Sequence, residues 1–158
     1  MIESGLPTFV ARFAGVSALG DAASLLARLL VAYLFVLEGW GKIGSYADVQ
    51  SYMTQFGVAP WLLPPVIALE CGGGLALALG AATRPLALAL GSFSLLAALI
   101  FHQGADASEA LEFRKDFAIA GGLFALAALG GGAWSLDALF ARRLTPALAR
   151  GRADAVPR

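Results

Sequence analysis

Between Trp61 and Ala82 the chain is apolar but for one group, a carboxylate followed by a cysteine and three glycines: Glu70-Cys71-Gly72-Gly73-Gly74. In water, three consecutive glycines would break a helix. In hydrocarbon no water can take over the freed backbone groups, so a spanning segment keeps its helix. The glycines then become a flat surface for close packing. Glu70 becomes a buried charge that needs a partner. This stretch restricts the chain to a membrane helix bundle with polar groups gathered toward one end.

Composition agrees. The 158 residues are 59% hydrophobic and 14% charged, with a formal net charge of zero. Mean hydropathy is +0.76, well above that of a soluble domain. Nothing in this balance suits nucleic acid. Cys71 is the one cysteine, so the chain cannot close an internal disulfide. One His and one Cys do not make a protein-only zinc site. Residues 1–10 hold Glu3 and no Lys or Arg, which is not the basic start of a signal peptide. The length fits a single membrane domain over 1–158.

A spanning helix takes roughly 20 apolar residues. Four segments approach this, about 22–43, 61–82, 85–102 and 117–134. Thr83-Arg84-Pro85 alone joins the second to the third, which predicts a tight helical hairpin. Arg12, Arg28, Arg84, Arg142, Arg143, Arg150, Arg152 and Arg158 fall on one side, and Lys42, Arg114 and Lys115 on the other. Eight against three puts both termini in the cytoplasm. Leu6, Phe9, Val10, Phe13, Val16 and Leu19 recur at helical spacing, so an N-terminal amphipathic helix is expected on the membrane surface. Tyr46 to Phe56 reads as a short amphipathic helix in the first external loop. Gly104 to Glu112 reads as a polar loop. Ser135-Leu136-Asp137 looks like the cap of an interfacial helix over about 136–149. The expected fold is therefore an all-α integral membrane bundle of four transmembrane helices, with interfacial helices at both ends.

Packing is expected from small residues at helical spacing: Gly72, Gly73, Gly74, Ala76 and Gly80 on the second span, Gly91 on the third, Gly121 and Gly122 on the fourth. The charged groups are harder to dismiss. Glu38, Lys42, Glu70, His102, Lys115 and Asp116 all fall in the outer half of this topology. Glu38 and Lys42 are four apart on one helix face, in the favourable order. Glu70 has no partner within one turn of its own helix, so it must be neutral or pair across helices, with Lys42, Lys115 or His102. Such a cluster either closes an ion-pair network or handles protons and the head group of a ligand. His102 has no second His to share a haem, and no self-contained catalytic motif is present. Trp40, Trp61 and Trp134 read as interfacial anchors.

Several of these residues together resemble a known family. They are Arg28, Phe35, Gly39 and Lys42; Phe56-Gly57-Val58-Ala59-Pro60; Glu70, Gly73-Gly74, Leu77, Gly80 and Thr83-Arg84; Phe101-His102; Phe113, Lys115, Ile119 and Gly121-Gly122; and Ser135-Leu136-Asp137. Their order and spacing, from about Leu26 to Asp137, resemble the DoxX family of small bacterial four-helix membrane proteins. Where that family often carries an amide after the Lys of its fourth helix, this chain has Asp116. The resemblance implies the bacterial inner membrane and kinship with thiosulfate:quinone oxidoreductase subunits. It therefore implies a redox-associated subunit, linked to sulfur, thiols or quinone, with quinone as a non-covalent cofactor. Two other readings stay open: a non-catalytic subunit that scaffolds a larger membrane complex or self-associates, and, more weakly, a small transporter.

Overall fold

The structure, a computed structural model, describes residues 6–104 and 106–143, with side chains from residue 18 onward. Its regular elements are helices, with no strand among the described residues. Helix α1 runs Leu6–Gly44 and α2 Tyr46–Gln55. Helix α3 opens on a tight 3-10 turn, Pro60–Leu62, and continues through Leu63–Ile67, a π-helical turn Ala68–Gly73, and Gly74–Leu79. Helix α4 is Thr83–Phe101 and α5 is Ala107–Leu129. A last helix, α6, covers 136–143.

Local chemistry explains the boundaries. Pro60, Pro64 and Pro65 suit first-turn positions, where a missing N–H costs nothing. Gly80 ends α3 at φ 70°, the left-handed cap that glycine adopts without strain. Asp106 starts α5, its carboxylate accepting from the Glu109 N–H at 2.9 Å. Gly130, at φ 87°, stops it.

Helices α4 and α5 form the most extensive pair, and α1 lies along α3. Between them sits a core of Phe35, Leu77, Ala87, Leu90, Leu123 and Leu126. Large apolar side chains also point outward, among them Leu30, Tyr33, Leu75 and Leu129. That exterior suits lipid rather than water. Trp40, Trp61 and Trp134 are all exposed, as anchors need to be.

Among the described residues, three stretches are long and apolar enough to cross a membrane: Ala18–Gly44, Pro60–Leu79 and Thr83–Phe101. The expected fourth span differs. Its helix begins at Ala107, inside what reads as a polar loop, because Asp106 caps a run of helix-favouring residues. It carries Glu109, Glu112, Arg114, Lys115 and Asp116 in its first half, too many charges to count as apolar. It also ends before 130–134, where Gly130 and Gly132 take positive φ. The N-terminal arm differs too: the α1 backbone is continuous from Leu6, so no separate surface helix precedes the first span. Of the expected C-terminal helix, 136–143 is helical and the rest lies outside the described residues. The helix in the first loop and the hairpin at Arg84 are as expected.

Glycine packing is partly redistributed. Gly73 faces α4, where an added Cβ would stand at ordinary contact distance from Leu86 (3.7 Å) and Leu90 (3.8 Å). Gly74 faces α1, where an added Cβ would lie 3.1 Å from Val36 Cγ2. Gly91 faces Phe124 Cε1 at 2.9 Å on the same test, and Gly80 is pressed against Ser135 and Arg28. Gly72, Gly121 and Gly122 meet nothing within 4 Å, so the described residues do not pack there. On α5 the buried face is Ala120, Leu123 and Leu126 instead.

Candidate functional site

At one end of the bundle lies a cavity of about 870 Å3. All six charged candidates, Glu38, Lys42, Glu70, His102, Lys115 and Asp116, line it. The remaining wall is mostly apolar and includes Leu69, Phe93 and Ile119. A pocket of this size with a few convergent polar groups is the usual form of a small-molecule site.

Glu70 comes to this cavity through the π turn. A π turn widens a helix locally and is frequent at functional sites. Gly39 of α1 makes the approach possible. A Cβ there would sit 2.6 Å from Cys71 Sγ, 3.0 Å from Glu70 Cβ and 3.1 Å from the Cys71 nitrogen. With no side chain in the way, the last turn of α1 brings Lys42 beside α3. Lys42 Nζ donates to Glu70 Oε1 at 2.9 Å and lies 3.8 Å from Glu38 Oε2. Of the three partners sequence offered to Glu70, Lys42 is the one in place. Glu70 is only 2% exposed. Its second oxygen, Oε2, is buried and has no hydrogen-bond partner among the described residues.

His102 is held at a different wall. It ends α4, and its Nδ1 is 3.0 Å from Glu109 Oε2, with Nε2 3.8 Å from Asp116 Oδ2. The Asp106 cap sets Glu109 in the first turn of α5. Gly104 leaves room for that side chain, since a Cβ there would stand 2.7 Å from Glu109 Cγ. The backbone hydrogen bond from Glu109 and the hydroxyl of Ser108 hold the Asp106 carboxyl below its ordinary value. Lys115 donates to Glu112 at 2.6 Å and stays half-exposed, so it joins the rim rather than Glu70. Helix α2 closes one side: Tyr52 stacks on Phe101 at 5.5 Å between ring centres, and Phe56 meets Phe101 at 5.3 Å. Tyr52 and Glu109 are residues of the site that the sequence did not single out, and Gly39, Phe56 and Phe101 entered there only through the family resemblance.

The opposite end holds a second polar group, also outside the sequence expectation. Arg28 is completely buried rather than a flanking charge at the membrane surface. It donates to the carbonyls of Leu77 (3.4 Å), Ala78 (2.8 Å) and Trp134 (2.7 Å). The first two belong to the C-terminal turn of α3, where carbonyls are left short of intrahelical partners; Leu77 O also accepts from the Gly80 N–H at 3.0 Å. Asp137 completes the arrangement by accepting from the Ala82 and Thr83 N–H groups, each at 2.8 Å, and so caps α4 from a distant segment. Burial pushes the Asp137 carboxyl up, but its bonds from Thr83 and Ala82, with Arg28 nearby, prevail and hold it below its ordinary value. Asp21 accepts from the Ala133 N–H at 2.7 Å, and Ser24 donates to the Gly130 carbonyl at 3.1 Å. Ser135 caps α6 as expected, accepting from the Ala138 N–H at 3.2 Å.

Known proteins place this arrangement. The family model DoxX matches residues 23–103, which carry Glu38, Lys42, Glu70 and His102. The chain belongs to the DoxX family. It is 45% identical over 126 residues to the inner membrane protein YqjF of Escherichia coli (strain K12), covering 79% of this chain and 97% of that protein. It is 32% identical over 121 residues to the inner membrane protein YphA of the same organism, covering 72% and 86%. No solved structure matches it. It is thus a DoxX-family integral membrane protein, and both relatives are named for the inner membrane.

Proposed function

We propose that the cavity beside Glu70 holds the ring head of a lipid-soluble quinone-type ligand, making the chain a redox-associated subunit of the bacterial inner membrane. One observation carries the reading: the buried Glu70 and the five other titratable candidates converge on one largely apolar cavity. Titratable groups gathered in a concave apolar site mark ligand or proton chemistry more often than packing alone. The residues fit a quinone-type group. Leu69, Phe93 and Ile119 suit its ring, Glu70 and Lys42 its polar edge, and the outward apolar surface suits its tail. When bound, such a group supplies two-electron chemistry. This chain's part is to hold the head group, exclude water and hold protons at Glu70 and His102. In this reading α5 is the fourth span, its charged first half facing the cavity, and the arginine-rich ends lie in the cytoplasm.

The test is lipid extraction of full-length protein purified from native membranes. Quinone should co-purify with the wild type, and Glu70→Gln should lower its content at least several-fold. Equal content in both, or none in the wild type, would overturn the reading.

A second reading has its own observation. Gly72, Gly121 and Gly122 leave flat, uncovered helix surface, which suits a further membrane subunit or a second copy. Co-purification of a partner that is lost in Gly121→Leu would favour it.

A further inference from the structure

The end of the bundle away from Glu70 carries basic side chains that the lock around Arg28 does not use. Arg84, Arg142 and Arg143 are exposed and make no ion pair among the described residues. Arg84 starts α4 and lies against the end of α5, where a Cβ on Gly130 would stand 3.2 Å from its Nε. Its hydrogen bond to the Leu129 carbonyl is long, 3.5 Å, so most of its five N–H donors stay open. Beside it is a second cleft, of about 400 Å3, with Arg84, Pro85, Leu129 and Ala138 in its wall. Arg142 follows Ala138 by four positions and so stands on the same face of α6, one turn along. Asp137 is the one carboxylate in that wall, and its two oxygens already accept from the Ala82 and Thr83 N–H groups. The cleft therefore has surplus positive charge.

The surroundings say which anion suits it. Leu88, one turn along α4 from Arg84, is exposed, as is Leu129, and the exposed Trp134 marks the bilayer boundary. Hydrocarbon thus reaches the edge of the cleft. Arginines pair with phosphate through two parallel hydrogen bonds, and basic clefts between membrane helices take lipid head groups. We infer that this cleft binds an anionic phospholipid of the phosphatidylglycerol class, its phosphate held by Arg84 and Arg142 and an acyl chain running past Leu129 and Leu88. A phosphatidylethanolamine head brings an ammonium that the arginines repel and that Asp137, committed to the α4 N-terminus, is not free to take. The site is independent of whatever fills the cavity at the Glu70 end.

The test is lipid retention. Full-length protein is reconstituted in mixed vesicles of phosphatidylethanolamine and phosphatidylglycerol and re-extracted in mild detergent, and the lipid it keeps is measured by mass spectrometry. A basic residue at a head group is worth roughly fivefold in binding. Phosphatidylglycerol should be enriched at least about fivefold over its share of the vesicle. Arg84→Gln combined with Arg142→Gln should bring the ratio back to that share, and Arg114→Gln, at the other end, should leave it unchanged. Both substituted arginines are exposed, and the wild-type enrichment is read without any variant. No enrichment in the wild type, or enrichment that survives in the double variant, overturns the site. Equal loss in Arg114→Gln would make it a general charge effect and overturn it too. If lipid is not enriched but inorganic phosphate binds the wild type calorimetrically and not the double variant, the arginines hold a free anion and the lipid assignment is wrong.

Discussion

The two ends of the bundle bury charge in opposite ways. At one, Arg28 is fully enclosed and donates to three backbone carbonyls, those of Leu77 and Ala78 at the end of α3 and of Trp134. At the other, Glu70 is almost as enclosed, but it pairs with a single side chain, Lys42, in the wall of a large cavity. Equal burial thus does not mean equal purpose. The Arg28 end joins α1, α3, α4 and the Trp134–Asp137 segment through bonds to backbone, and works as a lock. Both ends leave a buried polar atom without a partner among the described residues, Arg28 Nε and Thr83 Oγ1 at one and Glu70 Oε2 at the other, so the difference lies in the surroundings: only the Glu70 end gathers its titratable side chains around a large apolar cavity.

The comparison breaks most directly at Arg28. Arg28→Ala should cost about 3–5 kcal/mol or abolish folding, because it strands buried carbonyls and opens a void. Thermal unfolding of the detergent-solubilised protein reads this, and Glu70→Gln should cost far less in the same assay. Comparable losses would make both ends locks. Next comes Gly39→Val, which forces side-chain atoms against Cys71 and Glu70. It should cost about 1–3 kcal/mol and make Cys71 react faster with a maleimide as α1 is pushed away. Unchanged labelling would show that α1 does not seal the π turn.

A smaller effect is expected from Asp137→Asn, about 1 kcal/mol for a weakened cap. Its pH signature is specific. The Asp137 carboxyl lies below its ordinary value in the folded protein. Its stabilisation is therefore full above the ordinary carboxylate range and fades as pH falls toward the native value. Melting temperatures from pH 7 down to 3 should drop less steeply in Asp137→Asn; parallel curves would remove Asp137 from the lock. Smallest is Lys115→Gln. An exposed pair with Glu112 is worth about 0–1 kcal/mol. A large loss would mean Lys115 reaches deeper into the cavity than its rim position indicates.

How far these ends could be read from the chain alone follows from their physics. Hydropathy finds α1, α3 and α4, because a lipid-facing span announces itself by composition. The polar cluster is legible because charges in apolar segments are few, and all six line one cavity. The choice of Lys42 for Glu70 is not legible, since it depends on the crossing of α1 and α3. That crossing turns on Gly39, whose role appears only when the atoms it would strike are known. Arg28 misleads for a related reason. Near a span end, an arginine that reaches out to headgroups and one that turns inward to carbonyls have the same sequence signature. Likewise the α5 glycines mark a face that can pack, not the face that does.

The π turn has a consequence for phase. In a regular helix each residue advances the chain by about 100° around the axis. One extra residue in a turn therefore rotates everything beyond it by nearly that angle relative to everything before. Glu70 lies within the turn Ala68–Gly73, and Leu77 and Ala78, which receive Arg28, lie beyond it. The widened turn is what lets one continuous helix present Glu70 to the cavity and its last carbonyls to Arg28 at the same time. The two ends share a single angular setting, and the glycines after Glu70 are where it is made.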